Sequence, residues 1–302
     1  MIEAEKVSVH YKRAMARRTL KALDSFDLSV AEGDFFALLG QNGAGKSTAM
    51  YAILGLLRPT SGRVRVLGRT PVPGSDIFRA IGYLPEEPHY HDYLTVEEAV
   101  AYYGGLSRSR SWRSGAEEMM ERLGLVEFRK LRLARCSKGM KQKVGIVQCL
   151  LGDPRLLLLD EPMRGLDPLA VRQFRDMLVE LNRRGVTILM SSHILSEVEL
   201  VASRAAIVDA GRVVAQGRLE ELVSTDPDAY VVEVESCPSY PEYFAAGSAT
   251  GASVEGTIPA ARFHDFVDFT RARGLRVFRC ALRKGTLEEA FLRVLKPPDS
   301  NA

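Results

Sequence analysis

The segment that most restricts the fold of this chain is Gly40-Gln41-Asn42-Gly43-Ala44-Gly45-Lys46-Ser47-Thr48. It follows Phe35-Phe36-Ala37-Leu38-Leu39, a short continuous apolar run, and leads into a stretch that reads as a helix from Lys46 through Leu57. An unbroken apolar run after a turn such as Glu32-Gly33-Asp34 suits a parallel strand buried on both faces. Strand, loop and helix, with Gly-x-x-x-x-Gly-Lys-Ser complete, form the context of a phosphate-binding loop. Glycines let the backbone curl so that successive N–H groups face inward as an anion nest. The following helix points its positive end at the same place. Lys46 reaches the β- and γ-phosphates as a compact cation. The Ser47 hydroxyl is a hard oxygen ligand suited to Mg²⁺. The loop therefore calls for a nucleoside triphosphate, held by Gly40, Asn42, Gly43, Ala44, Gly45, Lys46, Ser47 and Thr48. A chance glycine-rich turn is disfavoured because the flanking strand and helix are both in place.

A second run, Leu156-Leu157-Leu158-Leu159, ends in Asp160-Glu161. A strand of leucines buried on both faces is rigid and dry, and its C-terminal end delivers two carboxylates into the crevice where open α/β sheets bind ligands. Asp160 is read as holding Mg²⁺ through water, and Glu161 as activating the attacking water, since phosphoryl transfer needs positioning and charge neutralisation more than covalent chemistry. The competing reading is an acidic strand end that caps a helix. A third buried strand, Val186–Met190, leads to Ser191-Ser192-His193. If it neighbours the other two, His193 faces the same crevice, although a lone histidine is more often structural.

Composition narrows the setting. With 302 residues, one large domain or one plus a smaller domain is expected. The net charge of +3 is too weak to argue for nucleic acid. Basic residues cluster from Lys12 to Lys21 and from Arg108 to Arg113, which reads as a solvated face, with acidic lipid or a partner as the alternative. Cys136, Cys149, Cys237 and Cys280 match neither zinc-site nor disulfide spacing, so a reducing cytoplasmic setting is expected. No apolar run approaches the length that crosses a bilayer, and Met1-Ile2-Glu3-Ala4-Glu5-Lys6 carries no apolar signal core. A membrane role would run through another polypeptide.

Residues 1–40 read as β-rich, with Val7 and Val9 alternating with polar residues and Leu28-Ser29-Val30 before the turn. Further strands are expected at Arg63–Leu67 and Ala80–Leu84. Residues 86–150 read as several helices, among them Val96–Tyr103, Ala116–Leu123 and Val144–Leu151. Val171, Phe174, Leu178 and Leu181 recur at helical spacing. Ala206-Ile207-Val208 and Arg212-Val213-Val214 flank Asp209-Ala210-Gly211 as a hairpin. Composition shifts after Gly217. A small α+β domain is expected over 219–302, with strands Tyr230–Val234 and Leu275–Cys280, helices Phe263–Arg273 and Leu287–Leu295, and a loop or weakly ordered insert from Ser236 to Gly256. Phe263, Phe266 and Phe269 are expected in its core, with Val231, Val234, Val277 and Phe278.

From about residue 3 to 217 the chain resembles the nucleotide-binding subunit of an ABC transporter. Seven elements carry the resemblance in order: Tyr11 in Val7-Ser8-Val9-His10-Tyr11, the loop 40–48, Ile81-Gly82-Tyr83-Leu84-Pro85-Glu86, Cys136-Ser137-Lys138-Gly139-Met140, Asp160-Glu161-Pro162, Gly165-Leu166-Asp167, and His193. The resemblance implies an α/β fold over 1–218: a P-loop NTPase core of mainly parallel sheet, an N-terminal antiparallel β subdomain and a helical signature subdomain over about 86–150. The accessory α+β domain follows. It implies an ATPase that uses ATP and Mg²⁺, with Tyr11 stacking on adenine, Glu86 reaching toward Mg²⁺ and His193 hydrogen-bonding the γ-phosphate. It also implies a head-to-tail dimer, homodimer or heterodimer, in which Ser137 and Gly139 contact the γ-phosphate held by the partner and Asp167 runs along the interface. The expected partners are an integral-membrane permease subunit and a second ATPase subunit, with no nucleic acid. The expected location is cytoplasmic, peripheral on the inner face of the cell membrane through that permease.

The chain departs from the family pattern in places. Glu86 replaces the usual Gln, which adds negative charge near the phosphates and removes an amide donor. Cys136 replaces Leu, Lys138 the first of two glycines, and Met140 replaces Gln. Lys138 would either favour a nearby phosphate or be solvated. Ser-Lys-Gly-Met, Pro-Glu-Glu and the ending Thr286–Leu292 resemble the branch of single-domain ATPases that serve separate exporter membrane subunits. The other readings are a soluble ABC-type ATPase acting on ribosomes or DNA and a small-metabolite kinase. One phosphate loop and no heptad run disfavour the first of these, and the signature segment disfavours the second. The C-terminal domain is read as a packing or dimer-stabilising appendage, with regulation or partner docking as the alternative.

Overall fold

The computed structural model describes residues 1–12, 19–107, 109–223, 225–237, 246–250 and 253–295. The basic stretch from Lys12 to Lys21 lies largely outside them. The chain divides into two compact units, Met1–Leu219 and Glu220–Ala302.

In the first unit, β1 (Ile2–Lys12), β2 (Thr19–Val30) and β4 (Ser61–Val66) form an antiparallel sheet in the order β2-β1-β4. The second sheet runs β5-β6-β7-β3-β8-β9, comprising β5 (Ile81–Leu84), β6 (Leu156–Asp160), β7 (Thr187–Ser192), β3 (Phe35–Leu39), β8 (Arg204–Asp209) and β9 (Arg212–Arg218). Its first five strands are parallel and β9 is antiparallel to β8. Every residue of β3, β6 and β7 is buried, as expected for strands covered on both faces. Phe36, Leu38, Leu156, Leu158 and Leu189 share one core with Val7, Phe26 and Val64 of the antiparallel sheet. The β8–β9 turn is tight because Ala210 and Gly211 both adopt positive φ, 45° and 79°, the twist that suits a two-residue hairpin.

Helix α1 (Lys46–Ile53) is shorter than expected. The apolar sequence continues to Leu57, but Gly55 enters the left-handed region at φ 64° against the carbonyl of Pro71, which stops the helix. Helices α2 (Val96–Ser107), α3 (Trp112–Arg122) and α4 (Lys138–Leu150) build a helical subdomain. Gly104 lies against the Trp112 ring, leaving no room for a Cβ, and the Arg113 guanidinium sits over the indole at 4.8 Å. Helix α5 (Pro168–Arg183) buries Ala170, Phe174, Met177 and Leu178. The short α6 (Leu195–Glu199) follows β7, and α7 (Leu219–Leu222) follows β9.

The second unit has the antiparallel order β11-β12-β10-β13, from β10 (Thr225–Glu235), β11 (Ala246–Thr250), β12 (Ser253–Pro259) and β13 (Val277–Lys284). It also carries α8 (Phe263–Ala272) and α9 (Leu287–Leu295). Val232, Val234, Ile258 and Phe266 form its core, with Phe263 and Phe269 packed against them. Of the stretch from Ser236 to Gly256, expected as loop or weakly ordered insert, residues 238–245 and 251–252 lie outside the described residues, and 246–250 and 253–256 are strand. Its small residues still pair as β11 and part of β12, because the register Ala249↔Val254 to Ala246↔Thr257 needs only backbone donors and acceptors. Val277 and Phe278 are also not core: they are 45% and 55% exposed, since β13 is an edge strand paired with β10 alone among the described strands.

All four cysteines are free, and burial pushes the Cys149 thiol up to about 12. Among the described residues, no helix is long and apolar enough to cross a membrane.

Candidate active site

Parallel pairing of β6, β7 and β3 brings their C-terminal ends together, with Asp160 opposite Ser191 and Leu39 opposite Ser192. The phosphate loop leaves β3 at this end. Its shape is enforced from below. Gly45 has φ 109°, and a Cβ there would fall 2.7 Å from the Ala22 carbonyl; one on Gly40 would fall 2.6 Å from the Val208 carbonyl. The hairpin turn braces the loop, because Gly211 N–H donates to Ala44 O at 2.8 Å and Asp24 N–H donates to Gly211 O at 3.0 Å. The side chain of Asp24 is held by Arg212, which keeps its carboxyl below the usual range.

Lys46 is buried at the loop's centre and donates to Gly40 O at 2.6 Å and Gln41 O at 3.3 Å. Its ammonium also faces Glu161 Oε1 at 3.5 Å. Glu161 itself sits at φ 48°, a left-handed position that bends the chain off β6. Its backbone N–H donates to Ser191 Oγ at 2.9 Å, and Ser191 Oγ–H donates to Asp160 Oδ1 at 2.6 Å. Ser191 thus ties the Asp160 carboxylate to the Glu161 backbone from the neighbouring strand. Glu161 Oε2 meets His193 Nδ1 at 2.7 Å. Glu161 Oε1 is buried and accepts no hydrogen bond among the described residues, and its close polar neighbour among them is the Lys46 ammonium.

Lys46, Glu161 and His193 line one open cavity of about 460 Å³, while Asp160 lies buried behind it. Asn42, Gly43, Gly45, Lys46, Ser47 and Thr48 form its floor, and Glu86, Glu161, Arg164 and His193 one wall. Tyr11 stands on the other side, 40% exposed, directly across the strand pair from Leu20. The donor set of Ser47, Asp160 and Glu86 is all oxygen, the chemistry Mg²⁺ prefers, and the orphaned Glu161 oxygen adds an acceptor for its hydration shell. Among the described residues no three His, Cys, Asp or Glu side chains are arranged to hold a metal alone.

Other predicted positions are placed as follows. Ser137 caps α4, accepting from Met140 N–H at 3.2 Å. Neither it nor Gly139 lines the cavity. Gly139 packs so tightly on the segment after Glu161 that a Cβ would fall 2.7 Å from Gly165 O. Asp167 caps α5, and the Ala170 N–H it accepts lowers its carboxyl from the usual range. Lys138 is half exposed and pairs with Glu87 at 2.6 Å. Glu86 pairs with Arg164. Sequence reasoning missed Arg164, Leu20, Gly211 and Gln142, whose Nε2 donates to Pro162 O at 3.1 Å from within α4. Arg164 alone left a signal, lying three residues beyond Glu161.

The family profile described as ABC transporter matches residues 23–164. An ABC transporter ATP-binding protein of Nostoc sp. is 35% identical over 286 residues, covering 93% of this chain and 85% of the relative. The chain belongs to the ABC transporter ATP-binding proteins. The bacitracin transport ATP-binding protein of Bacillus licheniformis is 35% identical over 198 residues, covering 65% of this chain and 64% of that one. Among solved structures, the ATP-binding subunit of an ABC transporter superposes with a TM-score of 0.67 at 33% identity, covering 73% of this chain and 91% of the other. A dimeric ATP-binding cassette with bound ADP and phosphate, in a post-hydrolysis state, also gives 0.67 at 26% identity, covering 73% and 99%. The P-loop NTPase fold follows, and the chain is an ATPase.

Proposed function

We propose that this ABC ATPase energises a separate membrane-spanning subunit, in the exporter direction, as one half of a head-to-tail dimer. The carrying observation is an incomplete pocket. Lys46, Glu161 and His193 converge on one cavity, while Ser137 and Gly139 lie outside it on α4. Ser137 and Gly139 are assigned to the cavity of a second copy or a related chain, where they would meet the γ-phosphate. The solved dimeric cassette supports this arrangement.

Within one cavity the roles divide by geometry. The loop N–H groups and Lys46 hold the phosphates, and Tyr11 with Leu20 offers a flat wall to adenine. Glu161 accepts a proton from the attacking water through Oε1, the oxygen that faces Lys46 and accepts no hydrogen bond among the described residues. His193, held by the other oxygen, orients that carboxylate and presents its second nitrogen toward the γ-phosphate. Mg²⁺, held by Ser47, by Asp160 through water and by Glu86, would neutralise phosphate charge.

Docking to the membrane subunit is supported by a surface cavity of about 400 Å³ lined by Phe78, Tyr83, Tyr103 and Leu106, with Leu106 62% exposed. A helix of the permease would bury these side chains. The bacitracin relative is named for transport, which supports a transport role; the exporter direction rests on the Ser-Lys-Gly-Met and Pro-Glu-Glu segments. On this reading the chain works at the cytoplasmic face of the membrane. Affinity purification from solubilised membranes tests the proposal: a polytopic membrane protein should co-purify. Recovery with ribosomes and no membrane protein would favour a soluble ABC-type ATPase instead.

A further inference from the structure

Two carboxylates stand side by side after β5, and each takes a cation from a different segment. Glu87 pairs with Lys138 at the start of α4, and Glu86 pairs with Arg164 in the turn after β6. Of the four, Glu86 and Arg164 line the nucleotide cavity together with Lys46 and Glu161. Arg164 is fixed at its backbone, since its N–H donates to Glu161 O at 3.1 Å. Its side chain is 48% exposed and that of Glu86 38% exposed, so both can move.

A carboxylate at the edge of a triphosphate site is a problem by itself. It repels the phosphates unless a cation stands between them. It is useful only once a divalent ion arrives and can accept its oxygen. We propose that Arg164 is a positioning residue for Glu86: it neutralises and holds the carboxylate in the nucleotide-free cavity and yields it when the metal enters with the nucleotide. Arg164 thereby makes a glutamate workable where a neutral glutamine would need no partner. Lys138 cannot substitute, because Glu87 occupies it.

The inference rests on this cavity being the metal–nucleotide site. The test measures equilibrium binding of a fluorescent ATP analogue, with Mg²⁺ and with the metal chelated, to full-length protein. Arg164→Ala leaves Glu86 bare, so metal-free nucleotide should bind about fivefold more weakly than to the native chain, while the metal-loaded form changes about twofold or less. Arg164→Lys should preserve native binding in both conditions. Adding Glu86→Gln to Arg164→Ala should restore metal-free binding to the native level. Equal weakening with and without metal, no weakening at all, or failure of the double variant to recover would each overturn the proposal. The first or last would mean that Arg164 binds phosphate itself. If the native chain bound no nucleotide in either condition, the site reading would fail first, and this inference with it.

Discussion

His193 Nδ1 lies 2.7 Å from Glu161 Oε2, while the other oxygen of the same carboxylate faces Lys46 at 3.5 Å. One side chain thus links the ends of β6 and β7 to the phosphate loop, with the Ser191 hydroxyl bridging the carboxylate of Asp160 and the backbone of Glu161. His193→Ala should therefore leave nucleotide binding close to native but lower turnover about a hundredfold or more, the usual range for losing a group that acts at the proton-transfer step. Phosphate release measured beside nucleotide affinity checks this. Equal losses in both would assign His193 to binding.

Gly139 can approach Gly165 O only because it lacks a Cβ. Gly139→Ala should displace the start of α4 from the turn after Glu161 and cost about 1–3 kcal/mol by overpacking. Denaturant unfolding measures the cost. Turnover should fall further than binding, since the cavity floor is elsewhere.

Gly211 braces the phosphate loop from the β8–β9 turn, at φ 79° and with the Ala22 carbonyl 2.7 Å from any added Cβ. Gly211→Ala should destabilise the first unit by about 2 kcal/mol or more. It should also weaken nucleotide binding, although residue 211 touches no phosphate. Calorimetric unfolding with and without ATP reports both effects.

The Lys138–Glu87 pair carries a pH signature. The hydrogen bond from Lys138, with its charge, holds the Glu87 carboxyl below the usual glutamate value. A lowered carboxyl contributes stability above its unfolded pKa and loses it as pH falls through the folded one. Lys138→Ala should therefore lower the unfolding midpoint slightly at neutral pH. The difference from the native chain should vanish below the ordinary glutamate range. A difference that persisted in acid would mean that Lys138 acts through the packing of its stem on Gly165.

The legible parts of this molecule were those written in contiguous sequence. Phe35–Leu39 and Leu156–Leu159 announce buried parallel strands by unbroken apolar runs, and Asp160 and Glu161 inherit their place from the strand end. Asp209-Ala210-Gly211 announces its own turn. What escaped depends on partners distant in the chain. That Gly211 supports the phosphate loop follows from sheet order, which no local pattern encodes. The Arg164–Glu86 pair joins residues from two crossovers. The end of α1 is not legible locally, because Leu54, Leu56 and Leu57 continue an apolar pattern that only the left-handed Gly55 interrupts. In the second unit, Val277 and Phe278 look like core by composition, and their exposure follows from an edge position.

The central claim is that the cavity of one chain is half of a site completed by Ser137 and Gly139 of another. Glu161→Gln keeps the shape of the residue and removes its capacity as a base, so it should bind ATP without releasing the interface. Sedimentation of this variant with ATP and Mg²⁺ should give a species of twice the chain mass, which reverts to monomer when ADP replaces ATP. A monomer at saturating ATP, with nucleotide demonstrably bound, would contradict the two-chain site.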